Sequence, residues 1–121
     1  MATRRVYISG PIDGLNKAER RAAFKEVQLK LEAAGFETFN PMENGLPEDA
    51  PTSRHMRRDL AELTNEDHPY DTIFMMKRWT HSKGCKTEFD NATAMALDFI
   101  FEDAIDRFGW ENINVIDFKF Q

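Results

Sequence analysis

The sequence predicts an α/β domain, with a mostly parallel sheet of about five strands and helices on both faces. Three observations carry this. Short apolar runs alternate with segments of helical periodicity from Val6 onwards. Thr72 to Met76 is a continuous apolar run, as in a strand covered on both sides. The first two apolar runs stop at breaker pairs, Gly10-Pro11 and Asn40-Pro41.

Val6 to Ser9 is the first strand. Asn16 caps the first helix, and Glu19 three residues on resembles a capping box. Phe24, Val27, Leu31 and Ala34 form its buried face, and Gly35 stands where a C-terminal cap belongs. Phe36 to Phe39 is the second strand. Pro41, Pro47 and Pro51 mark residues 41–52 as a loop. Thr52 or Ser53 caps a second helix with Met56, Leu60 and Leu63 on its core face. The third strand is Thr72 to Met76, and the third helix starts near Gly84. Phe99 to Phe101 is a strand or a continuation of that helix. A short helix over Asp103–Phe108 and a last strand over Ile113–Phe118 complete the pattern.

With 121 residues the chain reads as one domain, 1–121, long enough for a real core. A net charge of −5 argues against a nucleic-acid polymer as partner, since phosphate neutralisation needs a basic face. A small nucleotide remains compatible with it. Cys85 is the only cysteine, which excludes an intrachain disulfide. No apolar run reaches membrane-spanning length, and Val6-Tyr7-Ile8 is too short for a signal-peptide core. The expected setting is the cytoplasm, away from membranes. The spacing of His55, His68 and His81 gives no metal motif.

Glu88 is the most informative residue. On helical spacing Cys85, Glu88, Phe89, Ala92 and Ala96 share one face, the one expected to meet the core. Burying an ionised carboxylate costs roughly several kcal/mol unless it is paired or hydrogen-bonded. Glu88 therefore has a local partner or borders a cleft that uses its charge. Ligands of parallel α/β sheets sit outside the carboxyl ends of the strands. Two loops leave such ends, Ser9-Gly10-Pro11-Ile12-Asp13-Gly14 and Lys77–Lys83, and Glu88 lies one helical turn beyond the second.

Gly10 and Gly14 allow close backbone approach to a ligand. Ser82 and Gly84 open the Glu88 helix, where amides and a hydroxyl either hold an anion or serve as a cap. Asp59 lies at the boundary of its helix's buried face, and Tyr7 offers a phenol at the sheet edge. Trp79 either stacks on a base or packs down as a hydrophobic lid. His81 is a loop histidine near the same edge, Cys85 is small core filler, and Asp71 is structural.

Three segments, Tyr7-Ile8-Ser9-Gly10-Pro11-Ile12-Asp13-Gly14, Met56-Arg57-Arg58-Asp59-Leu60 and Ser82-Lys83-Gly84-Cys85-Lys86-Thr87-Glu88, together resemble the nucleoside 2-deoxyribosyltransferase superfamily. They are closest to its short phage and bacterial relatives, and are also similar to the 2′-deoxynucleoside 5′-monophosphate N-glycosidases. The resemblance implies a Rossmann- or flavodoxin-like fold and cleavage or transfer of an N-glycosidic bond by a retaining mechanism. It implies Glu88 as the nucleophile, Asp59 orienting the sugar or assisting proton transfer, and Tyr7 positioning Glu88. Gly10, Ile12 and Gly14, with Ser9 and Asp13 of the same loop, would shape the sugar or phosphate pocket, and Ser82 and Gly84 would bind a 5′-phosphate where the substrate carries one; Trp79 is a further substrate-binding candidate through base stacking. It implies no metal or cofactor, a nucleoside or nucleotide as the small-molecule partner, and a homodimer or larger homo-oligomer. Asp13 stands where the monophosphate-specific relatives carry arginine; Lys17 and Lys83 are the cations that would compensate. The alternatives are a non-catalytic nucleotide-binding or sensing module of the same fold, and an interaction protein that has lost its pocket.

Overall fold

The computed structural model describes residues 4–115 and 118–119. Its elements are β1 (Arg5–Ser9), α1 (Lys17–Ala33), β2 (Glu37–Phe39), α2 (Thr52–Leu63), β3 (Thr72–Met75), α3 (Lys83–Ala94), β4 (Asp98–Phe101), α4 (Glu102–Phe108) and β5 (Phe118–Lys119). Single 3-10 turns occupy Pro41–Glu43 and Trp79–His81, and a longer one spans Trp110–Val115. The protein is α/β. Four parallel strands run in the order β2-β1-β3-β4. The two-residue β5 pairs antiparallel with Asp98 and Phe99 at the β4 edge.

Strand alternation sorts the core into two layers. Val6, Ile8, Phe74 and Ile100 face Phe24, Val27 and Leu31 of α1 and Ile105 of α4. Tyr7, Ile73, Met75 and Phe99 face Leu63 of α2 and Cys85 and Ala92 of α3. Strand order reverses between β1 and β3: the chain leaves β1 for β2 on one side and returns to β3 on the other. The carboxyl ends of β1 and β3 therefore diverge into loops that cover opposite layers, which leaves a crevice between them. Gly10, the first residue of that crevice, is packed tight. A Cβ there would lie 2.6 Å from Met76 Sδ and 2.9 Å from Phe24 Cζ.

Several expectations change. Pro51, not Thr52 or Ser53, is the N-cap of α2, and no side chain caps it; Thr52 Oγ donates to Asp13 Oδ1 at 3.3 Å instead. Asp98–Phe101 is a strand, with Phe99 and Ile100 buried on opposite layers. The proposed last strand over Ile113–Phe118 is a 3-10 turn through Val115, and residues 116–117 lie outside the described residues. Ile113 is buried against the α1 layer, and Trp110 stacks on Phe74 at 5.8 Å, which fixes the turn there. Ala96 falls beyond α3, exposed, with φ of 57°. Among the described residues no helix is long and apolar enough to cross a membrane.

Candidate active site

Tyr7 and Ser9 are two residues apart on β1, so both side chains project from the same face of the sheet. That face carries α3. Ser82 caps α3 by accepting from Cys85 N at 3.2 Å, and one turn on Glu88 points back at β1. Tyr7 Oη donates to Glu88 Oε2, and Ser9 Oγ donates to Glu88 Oε1 at 2.7 Å. Glu88 is 7% exposed and both of its partners are fully buried. Each carboxylate oxygen thus has one hydroxyl donor, which is how the fold tolerates the charge.

Burial pushes the Glu88 carboxyl up from 4.5 to about 7, against the lowering effect of the Tyr7 and Ser9 hydroxyls; the charge of Asp59 raises it further. Burial, then the charges of Glu88 and Asp59, hold the Tyr7 phenol well above its ordinary range. Tyr7 therefore stays a donor.

Asp59 lies on the buried face of α2, 8% exposed, rather than at its boundary. Burial raises it from 3.8 to about 6, opposed by a hydrogen bond from Asn44 and by the charges of His55 and Arg58.

A cavity of about 190 Å³ lies between the β1 loop, the loop after β2, and the starts of α2 and α3. Gly10, Ile12, Asp13, Asp59, Ser82, Gly84 and Glu88 line it, together with Lys17 and Cys85. Cys85 is also 1% exposed, and burial raises its thiol above the ordinary value. Tyr7 and Ser9 stand behind the wall and reach the cavity through Glu88. Gly14 does not line it; it turns the β1 loop with φ of 76°.

Trp79 does not line the cavity. Its ring stacks on Phe89 at 4.7 Å and tilts against Phe101 at 6.2 Å, so it packs against α3 and β4. His81 and Lys83 are exposed and also lie off the cavity wall. Among the described residues no group of three His, Cys, Asp or Glu is arranged to hold a metal ion.

Sequence reasoning missed Asn44 and His55. Asn44, in the loop after β2, is 6% exposed and donates to Asp59 Oδ1 at 2.9 Å. Its Nδ2 also lies 3.0 Å from His55 Nδ1, and both residues line the cavity. One signal was available: His55 precedes Asp59 by four residues, so the two share a helical face. No local pattern marks Asn44.

Residues 4–101 match the family described as a domain of unknown function, DUF4406, and the chain belongs to that family. No curated protein matches the chain.

Proposed function

We propose that this member of the DUF4406 family acts on the N-glycosidic bond of a nucleoside or nucleoside 5′-monophosphate, with Glu88 as nucleophile. The observation that carries the reading is the buried Glu88 carboxylate, held by Tyr7 and Ser9 on the wall of a cavity that Asp59 also lines. A buried carboxylate with a raised pKa, at the point where strand order reverses, marks a functional site more often than a structural one. The reading also agrees with the resemblance of the three motif segments to the deoxyribosyltransferase superfamily. In it the sheet is Rossmann- or flavodoxin-like. The same resemblance adds a homo-oligomer and no cofactor, and the single cysteine fits a reducing, cytoplasmic setting.

The chemistry runs in two steps. A Glu88 oxygen bonds to C1′ of the sugar while the C1′–N bond breaks, and its electron pair leaves with the base. The departing base takes a proton from solvent. Water, or a nitrogen of a second base, then attacks C1′. The ester C1′–O bond breaks, Glu88 is regenerated, and the attacking atom releases its proton to solvent. Two inversions give retention. Nearby negative charge from Asp59 favours the oxocarbenium-like transition state. The attacking form is ionised Glu88, and a pKa of about 7 leaves about half of it ready at neutral pH.

The test is base release. Nucleosides, deoxynucleosides and their 5′-monophosphates are incubated with the protein, with and without an acceptor base, and free base is followed by chromatography. Release by the wild type that disappears in Glu88→Gln supports the reading, and acceptor dependence separates transfer from hydrolysis. Binding without release in both proteins overturns it in favour of a nucleotide-binding module.

A further inference from the structure

The cavity wall contains a second ordered chain of polar groups, distinct from the Tyr7–Glu88–Ser9 cluster. Asn44 Oδ1 accepts from Leu46 N at 3.0 Å. Only an oxygen can take that bond, because an amide nitrogen facing a backbone N–H sets donor against donor. The side-chain amide is thereby locked, with Nδ2 turned to the cavity side. Nδ2 then has two hydrogens to place. One goes to Asp59 Oδ1 at 2.9 Å and the other to His55 Nδ1 at 3.0 Å.

The acceptors are fixed in turn. His55 Nδ1 must present its lone pair, so the proton of the neutral ring sits on Nε2, where it donates to Pro47 O at 3.1 Å. Asp59 must present an unprotonated oxygen. Protonating either group on the atom facing Asn44 calls for the opposite amide orientation, which Leu46 N–H forbids.

We infer that Asn44 is a positioning residue that holds Asp59 Oδ1 as an acceptor, favouring the ionised carboxylate, and holds His55 as its Nε2–H tautomer. In the ionised form that this bond favours, Asp59 accepts a hydroxyl from the ligand rather than protonating the leaving base. This choice of role rests on the proposed function; the arrangement of protons does not.

Charge at His55 and Arg58 acts on Asp59 in the same direction, after the larger effect of the Asn44 hydrogen bond. Arg58 on its own helix ion-pairs with Glu62 at 3.0 Å and lies over the Phe39 ring at 5.5 Å. Tyr7 of β1 is neutral, and Glu62 on α2 and Glu88 on α3 are acidic, so none of the three favours an ionised Asp59.

The first test is NMR on the full chain. The ¹⁵N shifts of His55 at pH 8 are expected to report Nδ1 unprotonated and Nε2 protonated. The carboxyl ¹³C of Asp59 gives its titration midpoint. Asn44→Leu is expected to raise that midpoint by about one to two pH units, the worth of one hydrogen bond to a charged group. His55→Gln, which keeps a carbonyl acceptor for Asn44, is expected to move it less. An Nδ1–H tautomer in the wild type, or an unchanged Asp59 midpoint in Asn44→Leu, overturns the inference. The tautomer measurement needs no variant, so it stands even if Asn44→Leu fails to fold. Asn44→Ser is the milder substitution and is expected to shift the midpoint in the same direction.

Activity then separates the two roles of Asp59. For an acceptor, base release by Asn44→Leu falls about two- to tenfold at pH 7 and recovers towards pH 9. A general acid would gain activity at pH 9 instead, and that result overturns the assigned role. No release by the wild type on any substrate overturns the proposed function and leaves the NMR result in force.

Discussion

Glu88→Gln is expected to remove activity and, at alkaline pH, to stabilise the fold. In the unfolded chain Glu88 loses its proton near 4.5; in the folded chain it keeps it to about 7. Between those values the folded state binds more protons. Its stability therefore falls as pH rises through that window, and the full penalty is present above pH 7. A gap of about 2.5 pH units corresponds to about 3 kcal/mol. Glutamine is nearly isosteric and does not titrate, so it escapes this penalty. It offers one acceptor oxygen where the carboxylate offered two to Tyr7 and Ser9, which costs about 1 kcal/mol. The net expectation is a variant more stable than wild type by about 2 kcal/mol at pH 8, with no advantage below pH 4.5. Asp59 titrates in both proteins, so its own burial contributes alike to each. Urea denaturation at pH 4.5 and 8, followed by tryptophan fluorescence, measures the difference. The same stability difference at both pH values would refute the claim that Glu88 is held against its own ionisation.

Tyr7→Phe removes one donor from a buried carboxylate. It is expected to raise the Glu88 midpoint from about 7 by about one pH unit, visible as the same shift in the acid limb of kcat/KM. Gly10→Ala forces a methyl group to within 2.6 Å of Met76 Sδ and 2.9 Å of Phe24 Cζ. A loss of about 1–3 kcal/mol in chemical denaturation is expected, from overpacking at the root of the β1 loop. Trp79→Ala strips the stacking on Phe89 and Phe101. It is expected to lower Tm while leaving KM within about twofold, because the ring lies off the cavity wall. A large rise in KM would return Trp79 to the ligand.

The sequence was most readable where one periodicity decided the outcome. Cys85, Glu88 and Ala92 repeat at helical spacing and are buried as that spacing implies. Alternation along β1 likewise separates Val6 and Ile8 from Tyr7. Legibility failed where the deciding contact was non-local. Thr52 has the chemistry of a cap, but Asp13, far away in the chain, takes its hydroxyl. Asp59 looked like a boundary residue because it neighbours Met56, Leu60 and Leu63, the core face of its helix. The partner that lets it be buried, Asn44, comes from a loop whose prolines said only that it was irregular. Trp79 sits beside the motif that opens α3, yet its ring follows the nearest aromatic surface, which belongs to Phe89 and Phe101. Ile113 carries a strand-like pattern and lies in a 3-10 turn, buried against the α1 layer by contacts distant in the chain.

The bond from Tyr7 to Glu88 joins residues 81 positions apart, and that from Ser9 spans 79. Closing such a loop carries an entropy cost that no local segment offsets. While β1 is still undocked from β3, α3 can form and present Glu88, but the carboxylate then faces water with an ordinary affinity for protons. The reactive group is thus a property of the finished sheet and does not belong to any fragment of the chain. Docking of β1 beside β3 is the step that completes the site. A form in which β1 is undocked lacks both hydroxyl donors, and with them the tuned carboxylate.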